Sequence, residues 1–414
     1  MKPLRIGIVG VGGYAVTHMR IIDTLEQRGE CELRAAVIRN PARYAKEESE
    51  LAGRSVAVHR SYPEMLERQK GKLDIVVIPG GIDQHEPQSA AALESGYHVL
   101  CEKPVAGTFE EAVRMHRHAS KTGRILAIGF QFLHSPSVQR IKRLILEGEM
   151  GPLKSAKMIS YQPRTSAYYM RNSWAGRIQA NGRTILDSPL QNAVAHHLNN
   201  MLYFAGSLPG ASAAPLSVYG ENYRAKDIES ADTQFIRVET REGTLLTGMA
   251  SHAVERLLAP IIELTGERGS ILWSPDGGTK IYRGAGRERK LAEEWNKDRE
   301  DMQVLMYEDL FDSIRKDRPP RCHIGNAMQH TLCIDKMFQS CKIRPVPPPL
   351  TEKRKALREV YTGIEADESS YNIVVKGLEQ VMDKMFKGER SFFETGLPWA
   401  VRGEVLPISP DMLS

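Results

Sequence analysis

The sequence predicts an α/β protein, with a doubly wound parallel sheet at the N-terminus and a second α/β domain built on a large, mostly antiparallel open sheet. Three observations predict it. Short Ile- and Val-rich runs alternate with helical spacing through the first third of the chain. A glycine turn joins the first of these runs to the first helix. Beyond about residue 130 the alternation stops and period-two runs take over.

Leu4 to Val9 reads as the first strand. Gly10-Val11-Gly12-Gly13-Tyr14-Ala15 follows, then helical spacing through Met19, Ile22 and Leu25. Strand, glycine turn and helix are the context in which G-x-G-x-x-G/A binds a dinucleotide. Gly10 permits the turn, Gly12 lets the backbone approach a pyrophosphate, and Ala15 keeps helix and strand close. Gly13 and Tyr14 open the helix, whose free N–H groups suit phosphate.

Further strands are expected at Leu33–Ile38, Ser55–Val58, Leu73–Ile78, Tyr97–Cys101 and Ile125–Ile128. Helices lie between them, one ending at Ser95-Gly96 and one running from Phe109 to Lys121. Ligands of such sheets bind at the carboxyl ends of the strands. Glu102-Lys103 follows a strand at that edge, so these charges belong to a crevice and not to the core. At the end of the second strand stands Ile38-Arg39-Asn40, with no carboxylate to accept from a ribose 2′-OH. Arg39 suits a 2′-phosphate or a stack on adenine, a solvated surface arginine being the alternative. The cofactor expected is NAD(P), with the balance toward NADP.

A chain of 414 residues exceeds one ordinary core, and its boundaries are expected at 1–129, 130–343 and 344–414. With 41% hydrophobic and 26% charged residues, the composition argues against disorder and membrane insertion. The net charge of +5, without a basic block, argues against nucleic acid. Cys31, Cys101, Cys322, Cys333 and Cys341 lack metal-type spacing and fit a reducing compartment. No signal-peptide design or membrane-length run is seen, so a cytoplasmic protein is expected.

Three segments resemble the glucose–fructose oxidoreductase / myo-inositol dehydrogenase (Gfo/Idh/MocA) family: IGIVGVGGYA, ALESGYHVLCEKPVAGTFEEA and GRILAIGFQFLHSPSVQRIKRLILEGEMGPLKSAKM. Together they cover roughly residues 4–158. The resemblance implies an N-terminal Rossmann domain and a C-terminal α/β domain with an open sheet. It implies that Lys103 lies near the nicotinamide and the substrate hydroxyl, and that the Lys103–Pro104 bond is of the kind found cis. The family's strand-four loop, Thr-Pro-Asn-x-x-His, stands here as Gly80-Gly81-Ile82-Asp83-Gln84-His85. Only His85 matches, and Gly80 leaves room for backbone to approach the nicotinamide ribose. A turn or cap residue is the alternative for His85.

In the second domain, helical spacing at Val138, Ile141 and Leu144–Leu146 leads to a break at Gly151-Pro152. Strand-like runs follow at Lys154–Gln162, Ser217–Tyr223, Thr233–Thr240, Gly243–His252 and Ile261–Thr265. Between the first two lies a helix signal from Asp187 or Ser188, before Pro189, to Gly206. At about 100° per residue, Leu190, Val194, Leu198, Met201 and Ala205 form an apolar stripe. Asn192, His196, Asn199 and Tyr203 form a second stripe opposite, suited to a polyhydroxylated ligand. The family's segment is Asp-x-Gly-x-His-x-x-Asp. Aligned on its histidine, His196 takes the position of the base, and Asn192 and Asn199 replace the two acids. Asparagine orients an imidazole but carries no charge to raise its basicity. Asp187 folding back to the site is the alternative. His197 lies off the stripe and reads as structural, and Asp187, His196 and His197 match no common metal spacing. Arg164, Tyr168, Tyr169, Arg171 and Trp174 precede the helix in a loop-like stretch and are candidate sugar contacts, packing being the alternative.

Helices are expected at Met302–Arg315 and Ala327–Lys342. The proline-rich run Arg344–Pro349 reads as a stiff connector, the segment from Glu352 to about Ala366 as charged and helix-prone, Tyr371–Phe386 as amphipathic, and Phe392–Ala400 as an apolar end motif. This extension exceeds the family's usual length and is expected to dock on the second domain or a neighbouring subunit.

The expected reaction is reversible hydride transfer between NAD(P) and a secondary alcohol of a sugar, glycoside or cyclic polyol. His196 takes the hydroxyl proton, Lys103 stabilises the alkoxide, and Glu102 holds Lys103. The site residues expected are Lys103, His196 and Asn192 for catalysis; Gly10, Gly12, Gly13, Tyr14, Ala15, Arg39, Gly80, His85, Glu102 and Lys103 for the cofactor; Arg164, Tyr168, Trp174 and Asn199 for substrate; and none for metal. Two alternatives stand beside it: redox-neutral glycoside cleavage with tightly bound NAD, and a nucleotide-dependent sugar sensor. The partner expected is a small carbohydrate or polyol, with a homo-oligomer, dimer or tetramer, and no nucleic acid or membrane.

Overall fold

The structure, a computed structural model, describes residues 2–284, 286–355, 367 and 369–409. The chain divides into two units, Met1–His134 with Glu300–Met328, and Ser135–Arg299 with Gln329–Ser414.

The first unit alternates as β1 (Leu4–Val9), α1 (Ala15–Gln27), β2 (Cys31–Val37), α2 (Ala45–Gly53), β3 (Ala57–His59), α3 (Tyr62–Arg68), β4 (Ile75–Ile78), α4 (Ile82–Glu94), β5 (His98–Cys101), α5 (Phe109–Thr122) and β6 (Leu126–Ile128). All six strands are parallel, in the order β3-β2-β1-β4-β5-β6. The order reverses between β1 and β4, which creates the crevice of a doubly wound sheet. The strands are mostly apolar because both faces are covered, β4 being an unbroken Ile-Val-Val-Ile run, and Ile6, Ile8, Ile75, Val77 and Leu100 are fully buried. The third strand starts two residues later than expected. Ser55 has a left-handed φ of 59°, so it belongs to the turn and not the ladder.

The helix Met302–Lys316 returns to this unit. Its Tyr307, Leu310 and Phe311 are buried in one cluster with Ile6, Ile8 and Ile22. Sequence order assigned this helix to the second domain. Its apolar face belongs to the first.

The second unit contains α6 (Pro136–Leu146), β7 (Leu153–Tyr161), α7 (Ser166–Met170), the small hairpin β8 (Gln179–Ala180) and β9 (Arg183–Thr184), and α8 (Ala195–Ala205). Then come β10 (Pro215–Arg224), β11 (Thr233–Thr240), β12 (Leu245–Ser251), β13 (Leu258–Gly266), β14 (Gly269–Ser274), β15 (Gly278–Arg283), β16 (Lys290–Trp295) and β17 (Arg344–Pro345). The large sheet runs β16-β15-β14-β13-β7-β12-β11-β10-β17. Its pairs are antiparallel except β7 with β12 and β10 with β17. Strands β14 to β16 were not expected. β16 is largely exposed and charged, which hides the period-two signal.

The tail also departs from expectation. The proline-rich run is no free connector: β17 pairs with β10, and the buried Val346 donates from its N–H to Arg224 O at 2.9 Å. Glu352 to Lys355 lie in a strand, β18 (Thr351–Lys355), and not in a helix; residues 356–366 fall outside the described residues. The stretch Tyr371–Phe386 splits into β19 (Tyr371–Val375), antiparallel to β18, and the helix Leu378–Gly388. Gly377, at φ 72°, separates them. Phe392 and Trp399 meet the Tyr223 ring edge-on at 5.3 and 4.8 Å, so the apolar end motif packs on β10. The five cysteines are free and buried. No described helix is long and apolar enough to cross a membrane.

Candidate functional site

Because the strands of the first sheet are parallel, β1, β2, β4 and β5 bring Gly10, Arg39, Gly80 and Glu102 to one edge. Gly10 has φ 102° and Gly13 φ 61°, conformations that a side chain strains. A Cβ on Gly12 would lie 2.2 Å from the Tyr44 hydroxyl oxygen, so Gly12 also makes room for a phenol from the β2–α2 connection. Ala15 is buried in the core below. Helix α1 carries no side-chain cap and no acidic residue in its first turn. Its positive end is not neutralised from within, which fits a pyrophosphate on this turn. Arg39 is exposed past the end of β2.

At the end of β5, Val99, Leu100 and Cys101 are fully buried and Glu102 is 4% exposed. One carboxylate oxygen of Glu102 accepts the main-chain N–H of Lys103 at 3.0 Å. The other lies 3.1 Å from His18 Nε2. A carboxylate only accepts, so Nε2 donates. His18 Nδ1 is 2.8 Å from the Tyr307 hydroxyl, and the Tyr14 ring stands edge-on to the imidazole at 5.5 Å. Burial and the Glu102 charge push the Tyr14 and Tyr307 phenols upward. Gly129 completes the cradle, since a Cβ there would lie 2.5 Å from Glu102 Oε1. The Lys103–Pro104 bond is cis, as the resemblance implied.

His85 is 1% exposed. Its Nδ1 lies 2.8 Å from Pro104 O and its Nε2 3.1 Å from Gly80 O. Burial alone would lower this imidazole. The Cys101 sulfur and the two carbonyls outweigh it and raise it to about 9. His85 thus ties the loop after β4 to the loop after β5, a positioning role.

In the second unit, the helix expected from Asp187 to Gly206 is interrupted. Pro189–Ala193 forms a π turn, Val194 leaves helical geometry at φ −118°, and α8 begins at Ala195. The π turn is anchored by Leu190, whose N–H donates to Gln234 Oε1 at 3.0 Å and whose carbonyl lies 3.1 Å from His330 Nε2. Such turns recur at functional sites. The expected opposition of an apolar and a polar stripe is not found: every residue of α8 is buried, because the helix packs between α6 and the sheet strands β7, β12 and β13. His196 is 7% exposed and Asn199 fully buried. The Asn199 amide has no hydrogen-bond partner among the described residues. His197 packs near Trp273 at 5.9 Å, and burial lowers it to about 3, in keeping with a structural role.

Asp187 meets Asn192 and the Gly176 backbone. Its carboxylate accepts from Asn192 Nδ2 at 2.8 Å and from the Gly176 N–H at 2.7 Å. An acid therefore stands beside Asn192. Arg164 is buried, donates to Gln162 Oε1 at 2.9 Å, and lies over the Tyr168 ring at 4.8 Å. Arg171 stacks on Tyr168 at 3.5 Å and reaches Trp174 at 5.0 Å. Tyr168 is buried and Trp174 half-buried in this cationic, aromatic group.

Sequence reasoning missed His18, Tyr307 and Gly129. His18 was legible as a histidine on the inner face of the first helix. Tyr307 was hidden by its distance along the chain. Lys103 belongs to the first unit and His196 to the second.

Residues 4–130 match the oxidoreductase family with an NAD-binding Rossmann fold, and residues 142–347 match that family's C-terminal alpha/beta domain. A dTDP-3,4-didehydro-2,6-dideoxy-alpha-D-glucose 3-reductase of Actinomadura kijaniata is 30% identical over 154 residues, 37% of this chain and 44% of that protein. An inositol 2-dehydrogenase of Corynebacterium glutamicum (strain R) is 27% identical over 172 residues, 41% and 49% of the two chains. The chain thus spans less than half the length of either relative. The WlbA dehydrogenase of Bordetella pertussis, solved with NADH and UDP-GlcNAcA, superposes with a TM-score of 0.67 at 21% identity, over 82% of this chain and 96% of that one. At that identity the likeness bears on fold alone. With both domains matched, the chain belongs to the Gfo/Idh/MocA family of NAD-binding oxidoreductases.

Proposed function

We propose that the protein is an NAD(P)-dependent dehydrogenase acting on a secondary alcohol of a sugar, glycoside or cyclic polyol. The observation that carries this reading is the chain Tyr307–His18–Glu102, which fixes the main chain of Lys103 at the carboxyl edge of the sheet that bears the glycine turn. Bound there, the nicotinamide supplies the hydride chemistry. Lys103 opposes the negative charge that develops on the substrate oxygen. His196 takes the hydroxyl proton. Asp187, through Asn192, supplies an acid near the start of α8. Arg164, Tyr168, Trp174 and Asn199 contribute aromatic faces and donors to the sugar. Arg39, exposed past β2, supports a preference for NADP.

The test is a panel of sugars, glycosides and inositols with NAD and with NADP, read by nicotinamide absorbance. One equivalent of reduced cofactor per product is expected. Lys103→Ala and His196→Ala are each expected to lower kcat by about 10²-fold or more, the usual contribution of one charge-stabilising donor and of a proton-transfer group respectively. Product formed with no net cofactor reduction would replace this reading with redox-neutral cleavage. Ligand binding without any turnover would replace it with a sensor.

A further inference from the structure

The family match ends at residue 347. Beyond it, β19 forms one wall of a cavity of about 490 Å³ that lies wholly within the second unit. Tyr371 and Ile373 line it from the extension, opposite Arg164, Tyr169 and Ser173 from the segment that follows β7. The wall is fastened in place. The Tyr371 N–H donates to Ser166 Oγ at 3.2 Å. The buried Lys226 ammonium joins both sides, donating to Arg164 O at 3.0 Å, to Ile373 O at 2.9 Å and to Asn372 Oδ1.

The charges of the lining are largely matched within the protein. Arg177 pairs with Glu229. Lys226 is held by three protein oxygens, and Arg164 donates to Gln162 and stacks on Tyr168. What else faces the space is the exposed Asp227 carboxylate, which can accept from sugar hydroxyls and repels phosphate, together with hydroxyls, an amide and aromatic or aliphatic surface. That mixture suits a neutral sugar ring, polar at its edge and apolar on its C–H face. A nucleoside diphosphate would need clustered, uncommitted cations.

We propose that this cavity binds a neutral glycosyl unit, and that Tyr371 of the extension sets the specificity. The proposal deepens the dehydrogenase reading and rests on it for the identity of the ligand class. Its test is independent of turnover: calorimetric titration of the full chain with cellobiose, maltose and lactose, with UDP-glucose as the charged comparison. Binding of at least one neutral disaccharide and none of UDP-glucose is expected. Tyr371→Ala is expected to raise the dissociation constant at least tenfold. Ser173→Trp, at an exposed position on the cavity wall, fills the space without disturbing a buried group and is expected to do the same. Circular dichroism and NADH titration check that both variants fold. No binding of any neutral disaccharide, binding unchanged in both variants, or preference for UDP-glucose overturns the proposal. If polyols still reduce the cofactor, the dehydrogenase reading survives that failure. If disaccharides bind and no sugar is oxidised, the cavity stands and the dehydrogenase reading falls.

Discussion

His18 Nε2, on the first helix, donates to Glu102 Oε1 at 3.1 Å across 84 residues of sequence. Both side chains are at most 5% exposed, so the interaction is screened little by water. The glycine turn and the Glu-Lys-Pro loop are joined through it.

Removing this imidazole leaves a buried carboxylate short of a donor. His18→Ala is expected to destabilise the protein by about 1–3 kcal/mol, measured by urea unfolding. It is also expected to lower kcat by up to about 10²-fold, since a displacement near 1 Å at Lys103 suffices for that. Tyr307→Phe keeps the ring and removes one hydroxyl, and should cost roughly 1 kcal/mol. A His18→Ala protein with wild-type kcat would show that Lys103 is positioned without this chain.

Gly129→Ala brings a methyl group to 2.5 Å from Glu102 Oε1 and is expected to cost about 1–3 kcal/mol, as overpacking does. Gly53, at the end of α2, has open space around its missing Cβ and no left-handed φ. Gly53→Ala should therefore stabilise by up to about 1 kcal/mol. Equal effects from the two substitutions in thermal melts would contradict the packing around Glu102.

His85 is raised from 6.5 to about 9 in the folded protein. A raised value stabilises the fold fully below the unfolded value, and that contribution is lost as the pH rises through the folded one. The window is therefore pH 6.5 to 9, and the shift corresponds to roughly 3 kcal/mol. Unfolding free energy should fall across this window more steeply in the wild type than in His85→Gln. Parallel curves for the two proteins would refute the doubly bonded imidazole.

Asp187 accepts from the Asn192 amide and from the backbone of Gly176. Asn192→Ala removes only the first. Asp187→Ala should destabilise more than Asn192→Ala, by about 1–3 kcal/mol, and should also raise KM for the proposed substrate, because the segment from Arg164 to Gly176 loses an anchor. Thermal melts and steady-state kinetics on the same two variants check the order.

The first sheet was legible because short apolar runs bounded by turns alternate with helical spacing, and glycines at positive φ mark the crevice. The Glu102–Lys103 pair was legible from its position after such a run. The route from Tyr307 to Glu102 was not, since no local pattern reports a helix that returns from residue 302. The break at Val194 was hidden for another reason: the residues from Pro189 to Gly206 carry a continuous helical spacing, and only anchoring by Gln234 and His330 shows that the first turn is wound differently. Strand β18 was misread because Thr351–Lys355 is charged, and its partner β19 begins only at Tyr371.

The return of Glu300–Met328 to the first unit has a consequence for biosynthesis. A ribosome delivers residues in order, and all of Ser135–Arg299 intervenes before Tyr307 emerges. At about 5–20 residues per second this is a delay on the order of 10–30 s. During it the nucleotide-binding half has its strands but lacks the helix that seals Ile6, Ile8 and Ile22. A nascent chain halted near residue 134 should therefore be sensitive to protease, and one released past residue 328 should not.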